Sequence, residues 1–497
     1  MDCPIDLFGA EEKMHSRTRN NFFLYIAYNI VSTLSTILAT ALLARRLGSN
    51  GIGEYSYLIS IVSYFTLFAI LGSSNYGARE IAYTRDNKIE CSRVFWEIVS
   101  LRTMQSILCL LSFFIFISFT SLDFRIMTIF AFFIVNVAVD IMWFYTGIEN
   151  FIMQIAVSLA TRILYLLALV VFIRSEADFP KYCIIEVLYN LIMNGTMWFG
   201  LRKRICSPGK IHPLRHLRPS IQMFLPAITI QIYNILDKTM LGVMAVDNYN
   251  QNAYYSLAEG IVKSFLLIGS SLTKVTAPRI ANLSANNRTE SISDTLYESY
   301  NISWLVSLPM VLAIIMSSDF IVAIYFGPGY SAVSTLIKLL SPLVIFISLS
   351  SVSGNQYLIP TKHTDTQTKI LATGALTNLI LNFTLIPRFQ AIGATAATLV
   401  AEGLNVVLQL IVMRHMKTIK IGRVMFDSWR AYIATAILAV YYVFVLPACS
   451  FSIPLYIAVL AFGLILYIII LAILNEAIAR SFILSLLGKR RSKEEQS

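Results

Sequence analysis

Long apolar segments alternate with short polar breaks along almost the whole chain. A transmembrane helix needs about 20 predominantly apolar residues. Segments of that kind lie near residues 21–43, 53–77, 96–118, 126–147, 152–173, 182–201, 219–245, 253–274, 299–325, 333–358, 367–387, 392–413, 431–449 and 453–475. They are continuous apolar runs and not the alternating patterns of about ten residues that are typical of membrane β-barrels. The pattern therefore predicts an all-α polytopic membrane protein with about 14 transmembrane helices.

The composition agrees with this fold class. Of the 497 residues, 57% are hydrophobic and only 13% are charged, whereas soluble domains carry about 25% charged residues. An ordinary soluble enzyme is therefore disfavoured. The net charge of +11 would raise the question of nucleic acid in a soluble chain, but in a membrane protein it is typical of basic loops, so no nucleic-acid partner is expected.

The basic residues are distributed unevenly between alternate loops. With the amino terminus inside, the inner segments carry about 28 Lys and Arg residues and the outer loops about 6. This positive-inside bias predicts a multi-pass protein with both termini in the cytoplasm. Alternatively, some of these basic residues bind anionic lipid specifically, for example those of the Arg202–Arg218 segment. Residues 1–20 lack the apolar core of a removable signal peptide.

Short motifs recur along the chain at an offset of about 194–200 residues. Ala41–Gly48 with Gly53-Glu-Tyr55 matches Asp237–Gly242 with Ala253–Gly260, because each copy has Leu-Gly, a polar loop and then Tyr-Ser. Six helices fit between the copies, so the two halves enter the membrane in the same orientation. We therefore expect two parallel six-helix repeats plus two C-terminal helices. The predicted domains are an N-terminal six-helix bundle (1–201), a basic cytoplasmic linker (202–218), a C-terminal six-helix bundle (219–416), and helices 13 and 14 with a basic cytoplasmic tail (417–497).

These motifs resemble those of Wzx-type O-antigen and polysaccharide flippases, within the superfamily that also includes multidrug exporters and the lipid II flippase. The residues that carry the resemblance are Ala44–Gly48 with Gly53–Tyr55, Gly77–Ala82, Leu236–Gly242 with Tyr254–Ala258, and Arg202–Arg218. The resemblance extends over essentially the whole chain. It implies alternating access that moves undecaprenyl-diphosphate-linked oligosaccharide repeat units from the cytoplasmic to the periplasmic leaflet of the bacterial inner membrane. It also suggests a polysaccharide polymerase and a chain-length regulator as partners.

Basic residues inside the predicted spans are candidate substrate ligands, because a charge in hydrocarbon is costly unless it faces a cavity or a partner. Lys263 lies about 15 Å along its helix, near the bilayer midplane. A cation there suits the phosphates of a lipid diphosphate. The predicted cations of a cleft between the halves are Lys263, Arg162, Lys238 and Arg102. The alternatives are a self-neutralising Glu259–Lys263 pair and an Asp237–Lys238 pair that snorkels at the outer rim.

Acidic residues inside the predicted spans are candidates for coupling or ion pairing. A buried carboxyl group can bind a coupling proton or cation, or it can neutralise a nearby base. The candidates are Asp140, Glu259, Glu402, Asp237 and Glu186. Which acid meets which base stays open at the level of the sequence.

Several kinds of chemistry have no motif in this chain. It contains no Walker-type phosphate loop, and its five histidines have no spacing that predicts a metal site. We therefore expect no cofactor, no metal and no enzymatic activity. Two alternatives remain, a multidrug or other exporter of the same superfamily and a membrane polysaccharide polymerase. A polymerase is disfavoured because the longest outer connection has only about ten residues.

Overall fold

The computed structural model describes residues 7–201, 204–207, 209–269, 271–286, 288–449 and 452–476. Within these ranges the backbone forms helices joined by short turns, and no β-strand occurs. Part of the predicted basic linker (202, 203 and 208) and the end of the predicted tail (477–497) lie outside the described residues.

The chain divides into two compact units, Met1–Ala253 and Tyr254–Ser497. The first unit contains α1 (Leu7–Ile70), α2 (Ser73–Thr84), α3 (Lys88–Ser118), α4 (Phe124–Val139), α5 (Met142–Gly147), α6 (Phe151–Phe172), α7 (Phe179–Met197) and α8 (Leu217–Met244). Helix α9 (Asn248–Gly269) crosses the boundary. The second unit continues with α10 (Ser271–Ala285), α11 (Thr289–Tyr325), α12 (Ser331–Leu340), α13 (Leu343–Ser351), α14 (Thr364–His415), α15 (Ile421–Phe426), α16 (Trp429–Val445) and α17 (Ile453–Ile473). The domain limits predicted from the sequence stay a prediction.

The predicted apolar segments coincide with helical backbone over most of their length in the described ranges, with breaks such as those at residues 140–141 and 341–342, which confirms the all-α polytopic class. Nine stretches there are long and apolar enough to cross a membrane. Two of them, Val31–Thr84 and Thr364–His415, are so long that each holds two predicted spans. Kinks divide these helices at Gly48 (φ +68°) and at Gln390 (φ +56°). Helix therefore continues through turns that the sequence alone suggests are loops.

Glycines let α1 approach the α8–α9 corner closely. A Cβ atom on Gly53 would lie 1.6 Å from the carbonyl oxygen of Tyr249, and one on Gly242 would lie 2.0 Å from the ring of Tyr57. Neither distance is compatible with a side chain. These glycines belong to the two copies of the repeated motif, so the motif encodes a packing contact inside the first unit.

The chain between α7 and α8 is anchored on α3 by the buried carboxylate of Glu97. This side chain is 0% exposed. Its Oε2 accepts hydrogen bonds from Arg215 (2.5 Å) and His216 (2.9 Å), and its Oε1 accepts one from the amide of His212 (2.8 Å). The hydroxyl of Tyr76 on α2 lies 2.7 Å from the other ring nitrogen of His216. Part of the basic Arg202–Arg218 segment, for which the sequence predicts a topology signal or lipid binding, thus contributes to a buried polar network.

The turn between α6 and α7 is organised by Asp178. Its side chain accepts hydrogen bonds from the backbone amides of Arg174 (2.9 Å) and Ser175 (3.2 Å) and from the ammonium group of Lys181 (2.6 Å). The Lys181 hydrogen bond, followed by the Arg174 amide, lowers the pKa of Asp178 to about 2. The carboxylate is therefore charged at any physiological pH and fixes the start of α7.

The last two long helices pack against α11 in the second unit. The hydroxyl of Tyr467 on α17 donates to the carbonyl of Leu305 (2.9 Å), and that of Tyr456 donates to the carbonyl of Met316 (3.1 Å). The ring of Phe320 stacks on Tyr456 at 3.6 Å. Tyrosine hydroxyls here satisfy backbone carbonyls while their rings bury apolar area.

Candidate functional site

Arg162 lies in the middle of α6 and in the middle of a cluster of hydroxyls and rings. It is 11 residues from Phe151, the first residue of this 22-residue helix, which is about 16 Å along the axis. Its guanidinium carbon is 5.5 Å from the ring centroids of both Tyr165 and Tyr189. One terminal nitrogen donates to the Tyr189 hydroxyl (3.3 Å) and the other to the hydroxyl of Thr36 on α1.

The charge of Arg162 has no carboxylate partner within 4.0 Å in the described part of the chain. Its Nε atom is buried and makes no hydrogen bond there. A guanidinium group presents five donors, and paired donors match the oxygens of a phosphate. Among the described residues, Arg162 therefore retains a donor and an unpaired charge for a phosphate.

Glu186 on α7 belongs to the same cluster through Tyr165. Its Oε1 accepts hydrogen bonds from the hydroxyls of Tyr165 (2.5 Å) and Tyr182 (3.1 Å). The ring of Tyr55 on α1 lies 4.8 Å from that of Tyr182. Among the described residues, no basic side chain forms a salt bridge with Glu186. A tyrosine hydroxyl can donate a hydrogen bond to the ionised carboxylate and can accept one from the protonated carboxyl group. The arrangement therefore suits a side chain that exchanges a proton.

Arg102 and Asp140 are brought together as an internal pair. Arg102 is 0% exposed, and one terminal nitrogen donates to the backbone carbonyl of Asp140 (2.6 Å). The other donates to the Asp140 carboxylate (3.3 Å) and to the Ser74 hydroxyl (3.0 Å). Asp140 also sits at the break between α4 and α5, where its second oxygen accepts from the amide of Met142 (2.9 Å). This geometry favours a structural role for both residues.

Lys263 and Glu259 form an ion pair, which the sequence analysis gives as the alternative to a substrate-binding Lys263. Their charged atoms are 2.7 Å apart, one helical turn from each other on α9. The Lys263 side chain is 38% exposed and that of Glu259 only 8%. Lys263 stays a candidate substrate ligand, but its charge is already offset by its neighbour.

The remaining predicted residues lie on α8 and α14. On α8, Asp237 is 3% exposed, and the carbonyl of Lys238 accepts a hydrogen bond from the side chain of Asn252 (2.7 Å). On α14, a carboxylate oxygen of Glu402 accepts from the side-chain amide of Asn405 at 3.4 Å. Asp237 and Lys238 belong to the first unit, whereas Glu402 belongs to the second.

Two polar contacts join α1 to the α8–α9 corner beside the close-packed glycines. The hydroxyl of Ser49 donates to the side-chain oxygen of Asn250 (2.6 Å), and the hydroxyl of Thr239 donates to that of Ser60 (2.9 Å). Sequence reasoning missed these residues because isolated hydroxyls in apolar helices have no distinctive pattern.

Sequence reasoning also missed the tyrosines around Arg162 and Glu186. A local signal exists, since Tyr165 follows Arg162 by three residues and Tyr182, Glu186 and Tyr189 are spaced by four and three. That spacing places each set on one helix face. Only the packing of α6 on α7 shows that the two faces meet. No group of three His, Cys, Asp or Glu residues that could hold a metal ion occurs in the described ranges.

Known proteins share both the fold and part of the sequence. The structure resembles that of the lipid II flippase MurJ in an inward closed conformation, with a TM-score of 0.70, 15% identity, and coverage of 92% of this chain and 99% of that one. It also resembles the multidrug transporter DinF-BH, with a TM-score of 0.54, 13% identity, and coverage of 82% and 96%. The chain thus shares the fold of these two proteins.

The sequence comparisons identify the family. The model of the family described as "Polysaccharide biosynthesis protein" matches residues 18–284, more than half of the chain, and the chain belongs to that family. It is 23% identical over 419 residues to the "Putative O-antigen transporter" of Escherichia coli K12, covering 81% of this chain and 98% of that protein. It is 26% identical over 178 residues to the "Probable flippase AglR" of Haloferax volcanii, covering 35% and 37%. The resemblance inferred from the sequence motifs is confirmed.

Proposed function

We propose that this protein is a flippase for undecaprenyl-diphosphate-linked repeat units of O-antigen or another surface polysaccharide. It moves them by alternating access from the cytoplasmic to the periplasmic leaflet of the bacterial inner membrane. The observation that carries the proposal is the Arg162 cluster, in which a mid-helix guanidinium has no carboxylate within 4.0 Å among the described residues and lies 5.5 Å from the ring centroids of both Tyr165 and Tyr189. Both termini then lie in the cytoplasm, which predicts that a reporter active only in the periplasm stays inactive when fused after Ser497.

The chemistry of the cluster fits a lipid diphosphate that carries a sugar. The phosphates lose hydration when they enter the protein, and a fixed cation offsets that loss. Among the described residues, the buried Nε of Arg162 has no hydrogen-bond acceptor, and a phosphate oxygen can supply one. The half-buried ring of Tyr189 offers apolar area on which a sugar ring can pack. The lipid anchor remains among the acyl chains throughout.

We propose Glu186 as the acid that exchanges a proton during transport. It shares Tyr165 with Arg162, so a substrate that displaces this tyrosine changes the hydrogen bonding of the carboxyl group. Asp140 and Glu259 are less suited to coupling because each already neutralises a base. A polymerase and a chain-length regulator stay predicted partners.

The test replaces Arg162 by Ala and by Lys in a strain that lacks the chromosomal copy. Surface polysaccharide and accumulated lipid-linked repeat units are measured at equal membrane levels of the protein. Hydrogen bonds to charged groups contribute about 1.5–3 kcal/mol, so Arg162→Ala is expected to reduce transport roughly 10- to 100-fold and Arg162→Lys less. Lys263→Ala should cost less than Arg162→Ala because Glu259 already offsets its charge.

The matched control is Arg174→Ala, which removes an exposed arginine just beyond the end of the same helix. It should leave transport unchanged. Normal export by Arg162→Ala would contradict the role of the cluster. Export loss without accumulation of a diphosphate-linked oligosaccharide would contradict the proposed substrate.

A further inference from the structure

Three basic side chains converge on a pocket where α14 ends and α15 begins. The pocket has a volume of about 470 Å³ and is lined by Arg414, Lys417, Ile419, Lys420, Ile421 and Gly422. The three basic residues are exposed, and none of the described residues that line the pocket is acidic. Like charges around one concavity repel one another, so the arrangement is favourable when an anion occupies it.

The described part of the chain supplies no ion-pair partner for the charges of this basic pocket. Within the described ranges, none of its three basic residues forms a salt bridge. The neighbouring Arg423 behaves differently, since it pairs with Asp427 at 3.2 Å and lies 4.0 Å from the ring centroid of Tyr297. Asp427 and Tyr297 are thus close to the pocket, but they contact Arg423, which does not line it.

The backbone around the pocket is hydrogen-bonded to side chains of one other helix, α11. From α11, Ser293 donates to the carbonyl of Thr418 (2.7 Å), and the hydroxyl of Tyr297 accepts from the amide of Lys420 (2.7 Å). The indole of Trp304, also on α11, donates to the carbonyl of Val424 (3.0 Å). The basic side chains therefore extend from a fixed frame, which is a feature of a preorganised binding site.

Lys417 occupies a backbone conformation that disfavours a lysine. Its φ is +57°, in the left-handed region, directly after the end of α14. Glycine is the residue that this position of a helix end prefers. A lysine there is the less favourable choice for the turn, and it places a positive charge in the pocket.

Exposed apolar side chains lie just beyond the pocket. Phe426 is 74% exposed, Trp429 46% and Met425 37%. The pocket itself lies between two stretches apolar enough to cross a membrane, Thr364–His415 and Ile421–Val445. Cations at the boundary of the spans, followed by exposed rings, match the two parts of a lipid molecule, a phosphate headgroup and its acyl chains.

We propose that this basic pocket binds the headgroup of an anionic phospholipid, with the acyl chains packed beside Phe426 and Trp429. The site is separate from the Arg162 cluster and does not depend on the transported substrate. A topology signal alone requires positive charge in the loop, but it requires neither a rigid frame nor convergence of three cations on one concavity.

Lys417→Gly is a sharp test, because glycine is favoured at this turn and the fold should be preserved. Lys362→Gly is a matched control, since Lys362 is also an exposed lysine in the left-handed region (φ +68°) but lies outside the pocket. Both variants lose one positive charge on the same predicted side of the membrane. Binding of dioleoyl phosphatidylglycerol and dioleoyl phosphatidylcholine to the purified full chain is measured by native mass spectrometry. Glycerol 3-phosphate and inorganic phosphate serve as soluble competitors.

We expect the wild-type chain to bind phosphatidylglycerol in preference to phosphatidylcholine. Lys417→Gly should weaken that binding about fivefold, as expected for loss of one lysine near an anionic surface, whereas Lys362→Gly should not change it. Equal affinities of the two variants, or equal binding of the two lipids by the wild type, would overturn the proposal. Displacement of the lipid by millimolar glycerol 3-phosphate or inorganic phosphate would show a soluble-anion site and would overturn it as well.

Discussion

Replacing Arg102 by Met tests whether this cation stabilises the fold or takes part in transport. Met is similar in length and flexibility but carries no charge or donor. The change removes three hydrogen bonds, to the backbone carbonyl of Asp140 (2.6 Å), its carboxylate (3.3 Å) and the hydroxyl of Ser74 (3.0 Å). We expect the free energy of unfolding to fall while each folded molecule keeps its transport rate.

The magnitude follows from what each group keeps after the change. Removing one partner of a buried pair costs about 3–5 kcal/mol. The Asp140 side chain is 25% exposed, and its carbonyl also accepts from the indole of Trp143 at 3.1 Å. Neither group is left fully unsatisfied, so the lower end, about 3 kcal/mol, is expected for Arg102→Met.

Asp140→Asn should cost at least as much, about 3–5 kcal/mol. The guanidinium of Arg102, which is 0% exposed, then has no carboxylate partner, although the side-chain oxygen of Asn can still accept from the amide of Met142. The double variant should lose less unfolding free energy than the sum of the two single variants, by about 1 kcal/mol or more, because each single variant already removes the Arg102–Asp140 interaction.

The assay is denaturant unfolding of the purified full chain in mixed micelles, followed by tryptophan fluorescence, with transport measured per folded molecule. Trp143 lies in the same network and reports on it directly. If Arg102→Met unfolds at the wild-type denaturant concentration but abolishes transport, Arg102 is a substrate ligand and the structural explanation is wrong. If the losses of unfolding free energy in the two single variants add up to the loss in the double variant, the Arg102–Asp140 contact contributes nothing to stability.

Two further predictions concern the first unit. In a cysteine-free background, Ser60→Cys with Thr239→Cys should form a disulfide on oxidation, because the two hydroxyls are 2.9 Å apart. If the proposed alternating access separates α1 from α8, the oxidised protein should stop transporting until a reductant is added, and full transport by the oxidised protein would exclude that movement. Glu97→Gln should lower the free energy of unfolding by about 1.5–3 kcal/mol, because the charged hydrogen bond to Arg215 is weakened. The control Glu90→Gln, at an exposed site on the same helix, should unfold like the wild type, and equal stability of both variants would refute the anchoring role of Glu97.

The sequence determined where the helices lie. Hydrocarbon offers no hydrogen-bond partner to the backbone, so an apolar run of about 20 residues must satisfy its own amides and carbonyls as a helix. Because this requirement involves only residues close in sequence, the helical segments can be predicted from the sequence without any knowledge of packing. The kinks at Gly48 and Gln390 were not predicted, since apolar length does not distinguish a loop from a continued helix.

Only the tertiary structure decided which charged groups are already paired. Lys263 and Glu259 are one turn apart on one helix, so their pairing could be anticipated from spacing. Arg102 reaches Asp140 across 38 positions of the chain, and Arg162 reaches Tyr189 across 27. Such contacts depend on which faces of two helices meet, and periodicity within either helix does not contain that information. Helix formation is a local property, whereas the availability of a charge for a substrate depends on its neighbours in space.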